Sequence, residues 1–215
     1  MSEADHTKFS EHVGYQGILL GGFSLIATAL LVLGNLATSD AINERAKEDL
    51  RASLSQVIPE HLHDNDLLKA PMRIEGDDGV TLIVYRAIHG TEVKAVAWEV
   101  TGAGYAGDIR LILSVDAAGR VLGARVLAHA ETPGLGDKID ATRSDWILGF
   151  NGLSLGNPPI EQWQVKKDGG RFDAFSGATI TPRGVVAAIR EGLEFFRRHR
   201  TTLISTPVIT RPVME

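Results

Sequence analysis

The sequence predicts an α+β protein: one N-terminal transmembrane helix, then one domain built on a mainly antiparallel sheet with flanking helices. Three observations carry this. About twenty residues from Gly17 to Leu36, GILLGGFSLIATALLVLGNL, hold no charge, enough to cross a hydrocarbon core as a helix. Four consecutive segments in the middle of the chain are rich in β-branched and aromatic residues, as strands are. Near the C-terminus, Val185, Val186, Ile189, Leu193 and Phe196 recur at the spacing of one helix face.

The apolar stretch sits between an acidic leader, with Glu3, Asp5 and Glu11 against Lys8, and a mixed-charge segment holding Arg45, Lys47 and Arg51. A cleaved signal peptide needs a basic leader, a shorter apolar core and a small-residue cleavage site; none is apparent here, so the stretch reads as an uncleaved anchor over residues 17–37. Basic residues flank it on both sides, and counting them leaves the orientation open. Gly17 and Gly21 form a G-x-x-x-G pair, a spacing that lets a partner helix approach closely.

Residues 38–60 read as a helical connector. Ile42, Ala46, Leu50, Leu54 and Val57 lie on one face, and Pro59 ends the pattern. His61, His63, Asp64 and Asp66 follow in a polar loop, read as solvated and not as a metal site. The main domain spans 61–200. Its predicted strands are VTLIVYRAIHG, EVKAVAWEVTG, DIRLILSV and RVLGARVLAHA, with DAAG (Asp116 to Gly119) as a turn between the last two. QWQVKK reads as a further short strand before the turn DGG (Asp168 to Gly170). Thr181 and Pro182 read as the cap and first position of the final helix. Residues 201–215 read as an extended tail.

The formal charge of −5 excludes the basic face that a nucleic-acid partner requires. The absence of cysteine excludes disulfides, thiolate metal sites and cysteine nucleophiles. No G-x-S-x-G and no Gly-Lys-Ser/Thr phosphate loop is present.

Two segments are candidates for chemistry. In DAFSGATITP, small residues surround Thr179 ahead of a helix start. Its hydroxyl would place a phosphate ester in the field of unpaired first-turn amides, with Gly177 and Ala178 giving a bulky group access; equally, the stretch reads as a plain turn before a capped helix. In HAETPGLGDKI, Pro133, Gly134 and Gly136 fix a tight loop whose amides could bind a planar heterocycle or an anion. His129, Glu131 and Asp137 lie at its rim, Glu131 as a solvated group.

Taken together, HxETPGLGDKI, the following Asp145-Trp146, and D-x-x-S/T-G-A-T-x-T at Asp173 to Thr181 resemble the G subunits of Rnf ion-translocating electron-transport complexes. GYAGDIRLIL and WQVKKDGG extend the likeness. The resemblance implies FMN joined by a phosphodiester to Thr179, attached by a separate flavin transferase that uses FAD, with Asp173, Ser176, Gly177 and Ala178 as the recognition segment. On that reading the ETPGLG loop, with Glu131, Thr132, Gly134 and Leu135, is expected to contact the flavin, and Lys166 or Lys167 to balance its charge. The resemblance implies no catalytic acid or base and no metal. It also implies electron relay between ferredoxin and NAD among other membrane subunits of the complex, in a bacterial inner membrane with residues 1–16 cytoplasmic and the flavin domain periplasmic. The sister family, the C subunits of sodium-pumping NADH:quinone reductases, shares the S-G-A-T and ETPGLG elements and is the alternative. A flavin-free anchored interaction module is the reading from a different class.

Overall fold

A computed structural model describes residues 4–69, 71–76 and 79–205. The chain divides into two units between Asp49 and Leu50. The first helix, α1, runs from Ala4 to Val57, so the predicted anchor and connector are one continuous element. It contains an 18-residue window of mean hydropathy 2.2, none of it buried. Leucine, isoleucine and phenylalanine side chains between Ile18 and Leu36 stand exposed on every side, the pattern of a helix whose solvent is lipid.

In the second unit, five antiparallel strands lie in chain order: β1 (Met72–Glu75), β2 (Thr81–His89), β3 (Glu92–Ala103), β4 (Asp108–Asp116) and β5 (Val121–Ala128). Four match the predicted strands, and DAAG turns between β4 and β5 with Gly119 at φ +84°. Strand β1, four residues with alternating burial, is an addition to the sequence reading.

Alternation along the strands sends side chains to two cores. On one face Val84, Val96, Trp98, Leu111, Leu113 and Val115 pack beneath α2 (Ile180–Leu203), whose Val185, Val186, Ile189, Leu193 and Phe196 are all buried. On the other, Ala87, Ala95, Ala97 and Ile112 receive Leu54 and Val57 from the end of α1 and Ile58 just after it. The small alanines, and Gly123 whose added Cβ would lie 2.9 Å from the Val57 backbone, let that helix end sit close. Helix α2 approaches β3 more closely still: a Cβ on Gly184 would fall 2.1 Å from the Ala103 carbonyl oxygen.

Three sequence expectations change. QWQVKK is not a strand. Residues Ile160–Gln162 and Lys166–Asp168 form 3-10 turns, and only a single bridge joins Val165 to Phe172. The chain doubles back on itself there, since a Cβ on Gly170 would meet the Gln164 carbonyl at 2.0 Å. Trp163 and Val165 are buried against Phe150 and Phe172 and need no ladder. Second, α2 begins at Ile180, so Thr181 and Pro182 lie inside the first turn and Thr179 takes the capping position. Third, α2 continues through Leu203, which is buried; the expected tail from Thr201 therefore starts as helix, and residues 206–215 lie outside the described residues.

The polar loop after α1 is structural. The Gly90 amide donates to Asp64 at 2.8 Å. Asn65 accepts from the Ile88 amide and donates to the Arg86 carbonyl, pinning the loop to β2.

Candidate functional site

A cleft of about 360 Å³ opens where three segments meet: the β3–β4 turn, the ETPGLG loop and the entry to α2. Its lining includes Tyr105, Glu131, Thr132, Leu135, Ala178 and Thr179, with backbone from Gly136 and Gly177. Its size falls within the range of small-molecule pockets.

Each wall follows from local sequence. Gly104 and Gly107 close the β3–β4 turn through an amide-to-carbonyl bond of 2.9 Å, which leaves Tyr105 and Ala106 at its tip. Gly134, at φ +80°, allows the ETPGLG loop to fold back so that the Leu135 and Gly136 amides both donate to the Thr132 carbonyl at 3.1 Å. Gly177 takes φ +81° in the turn that delivers Thr179 to α2, a conformation only glycine adopts at no steric cost.

Glu131 organises the cleft, and here the structure corrects the sequence reading. The residue is buried, not solvated. One carboxylate oxygen accepts the backbone amides of Tyr105 and Ala106 at 2.8 and 3.1 Å. The other accepts the buried Thr181 hydroxyl. Its own amide donates to His129 Nδ1 at 3.1 Å. A carboxylate fits here because Gly104 and Gly136 stand against it; a Cβ on either would lie 2.4 or 2.8 Å from its oxygens. Thr181 is therefore a clamp partner and not a cap.

At the head of α2 the Thr179 hydroxyl makes no capping bond. The first turn presents the Ile180 and Thr181 amides, neither with a backbone acceptor among the described residues. Pro182 has no N–H, and the Arg183 amide already bonds the Thr179 carbonyl at 3.3 Å. Two donors thus stand beside one hydroxyl, in the positive end of the helix field.

Of the residues predicted from sequence, the structure brings Thr179, Ala178, Gly177, Glu131, Thr132 and Leu135 to this cleft. Gly134 shapes the loop behind it. Ser176, Asp173 and Lys166 stand outside the lining, and Lys166 pairs with Asp173 at 2.6 Å. The Asp173 carbonyl accepts the indole N–H of Trp146 at 3.0 Å. Trp146 also packs edge-on against Phe150 and Phe175, so Trp146 anchors the segment that carries Thr179. Sequence reasoning missed Tyr105, Thr181 and Ile180 as cleft residues. Only the glycines around Tyr105 signalled a tight turn, and nothing in the sequence joined that turn to the ETPGLG loop.

Beside this region Arg183, in the first turns of α2, makes a two-point pair with Asp168 at 2.6 Å. The hydrogen bonds from Arg183 hold the Asp168 carboxyl below its ordinary value, and the same bonds raise the guanidinium.

The profile of the FMN-binding domain family matches residues 104–194, a span that includes all three walls. The G subunit of the ion-translocating oxidoreductase complex of Cereibacter sphaeroides is 52% identical over 189 residues, covering 88% of this chain and 86% of that one. The protein of the same name from Stutzerimonas stutzeri is 45% identical over 191 residues, covering 89% and 84%. Among solved structures, Shewanella oneidensis NqrC aligns with a TM-score of 0.47 at 23% identity, over 68% of this chain and 73% of that one.

Proposed function

The chain belongs to the family of G subunits of ion-translocating oxidoreductase complexes, and from that premise we propose that it is the membrane-anchored flavoprotein component of such a complex, holding FMN through a phosphodiester to Thr179. The observation that carries the reading is the Thr179 hydroxyl: uncapped, at the mouth of the cleft, beside two helix-head amides without backbone acceptors among the described residues.

The residues present fit the cofactor. A phosphodiester on Thr179 would accept from the Ile180 and Thr181 amides and sit in the favourable field of α2. Leu135 and Ile180 offer apolar surface for a planar ring, and Gly177 adds no side chain beside the attachment point, where a Cβ would sit in van der Waals contact with Leu135 at 3.6 Å. Bound FMN supplies reversible one- and two-electron chemistry. The chain holds that cofactor in place, shapes its exposure and sets the charge around it. Relay asks for no general acid or base from the protein. A covalent tether suits a site open on one side, from which a free cofactor would be lost.

Attachment is the work of a separate flavin transferase using FAD. The Thr179 oxygen bonds to the phosphorus of the FMN half, the pyrophosphate P–O bond breaks, AMP leaves, and the hydroxyl proton is released. The span in α1 anchors the flavin domain at the outer face of the bacterial inner membrane, among the other membrane subunits of the complex, and the relay serves electron flow between ferredoxin and NAD. The anchor occupies residues 17–37 and the flavin domain 61–200.

Coexpression with a flavin transferase tests the assignment by intact mass and in-gel flavin fluorescence after denaturation. The native chain gains one FMN and Thr179→Ala gains none. A fluorescent, FMN-shifted Thr179→Ala chain overturns it.

A further inference from the structure

Tyr105 pairs an exposed aromatic ring with a tightly held main chain. Its backbone is fixed twice: the Gly104–Gly107 bond closes the turn, and Glu131 accepts both tip amides. Its side chain is otherwise unengaged. No aromatic contact or hydrogen bond reaches the ring or hydroxyl among the described residues, and the residue is 73% exposed. A single exposed apolar residue needs no explanation. A cluster does.

From Leu50 onward, the described large apolar residues that stand exposed are Val80, Ile83, Tyr105, Leu135 and Ile180. Three of these five, Tyr105, Leu135 and Ile180, line the one cleft at Thr179. They come from three separate segments, and the buried Glu131 carboxylate ties those segments together. Such an arrangement holds apolar surface open around a position where a ring system would be tethered. A planar, π-rich ligand gains most from an aromatic partner, since stacked pairs exceed their area burial in worth.

We propose that Tyr105 is the aromatic contact for the isoalloxazine ring carried by Thr179, and that Glu131 acts as the positioning residue that holds the Tyr105 turn over the cleft. This rests on the flavin reading given above. Leu135 and Ile180 supply aliphatic contact from the other two segments, and Tyr105 is the one aromatic side chain among the described lining residues.

A phenol in contact with a flavin quenches its fluorescence by lending an electron to the excited ring and taking it back. Phenylalanine and leucine are too hard to oxidise to do so, and tryptophan does it readily. The test uses the full-length chain, solubilised in detergent and loaded with FMN, with intact mass reporting the adduct and fluorescence per bound flavin reporting the contact. Tyr105→Leu and Tyr105→Phe are expected to keep the adduct while emission rises several-fold, and Tyr105→Trp to stay as dim as the native chain. Because the side chain is exposed, none of the three changes burdens folding. Emission per flavin that is the same in Tyr105→Leu and the native chain, with the adduct present in both, overturns the Tyr105 assignment and leaves the flavin reading standing. A native chain without FMN on Thr179 overturns both. Glu131→Gln preserves an acceptor for the turn amides and is expected to keep the quenching; Glu131→Ala releases the turn and is expected to brighten the flavin with the adduct retained. An equally dim Glu131→Ala chain overturns the positioning role.

Discussion

Thr181 donates its buried hydroxyl to Glu131, fifty positions earlier in the chain. That bond ties the first turn of α2 to the ETPGLG loop, and the second carboxylate oxygen ties both to the β3–β4 turn. Removing the carboxylate strands the buried Thr181 hydroxyl and leaves the two amides at the tip of the β3–β4 turn without their acceptor. Glu131→Ala is expected to cost about 3 kcal/mol, read as a fall in Tm of roughly 8 °C for a domain of this size. Glu131→Gln keeps an acceptor toward the turn and, after the Thr181 hydroxyl rotates, a donor toward that oxygen; it is expected to lose less than half as much. Thermal unfolding of the two variants side by side checks the order.

Gly102 and Gly184 put β3 and α2 backbone to backbone. A Cβ on Gly102 would lie 2.4 Å from the Gly184 carbonyl oxygen, and one on Gly184 2.1 Å from that of Ala103. The obstacle is main chain, so neither side can yield by changing rotamer. Each Gly→Ala change is expected to destabilise by about 3 kcal/mol; at Gly184, inside α2, this outweighs the usual gain of up to about 1 kcal/mol for alanine in a helix. Denaturant unfolding gives the sign directly, and a stabilised Gly184→Ala chain would show that the helix does not sit this close.

Trp146 anchors the segment before Thr179 through its indole N–H to the Asp173 carbonyl. Trp146→Phe keeps edge contact with Phe150 and Phe175 and loses that one bond, at a cost of about 1 kcal/mol. The expected result is local: faster amide exchange in the Asp173–Gly177 turn with the interior of α2 unchanged. Uniformly faster exchange across the domain would show that Trp146 serves only the core.

Much of this architecture could be read in the sequence because the signals were periodic. The β-branched strands, the uncharged span and the apolar stripe of α2 each follow a repeat that local sequence states by itself. The S-G-A-T stretch and the ETPGLG loop were legible as motifs, and both reached the cleft. What escaped depends on contacts distant in sequence. Glu131 looks like any loop carboxylate until Tyr105, Ala106 and Thr181 converge on it. Strand β1 is four residues long and reads as strand only beside β2. QWQVKK alternates as a strand would, but Trp163 and Val165 face inward for packing against Phe150 and Phe172, and Gly170 turns the chain back before a ladder can form. Thr181 with Pro182 imitates a helix cap, while the first turn starts at Ile180 and the Thr181 hydroxyl is committed to Glu131.

The pair between Asp168 and Arg183 gives this region a pH-dependent contribution to stability. Arg183 holds the Asp168 carboxyl below its ordinary value chiefly through the two hydrogen bonds. A depressed carboxyl contributes stability that is complete above its unfolded value and lost as pH falls through its folded one. The contribution is therefore full at neutral pH and disappears in the acid range, below where unfolded aspartates titrate. Both groups are reached by solvent, so salt weakens the pair as well. Comparing native chain and Asp168→Asn by Tm across pH isolates it: the native chain is expected to be the more stable at neutral pH and the two curves to converge in acid. Asp168 lies in the Lys166–Asp168 turn that also sends Lys166 to Asp173, so losing the pair should loosen the turn holding the Thr179 segment. A constant difference in Tm from neutral pH into strong acid would show that Asp168 stabilises this turn by some means other than its charge.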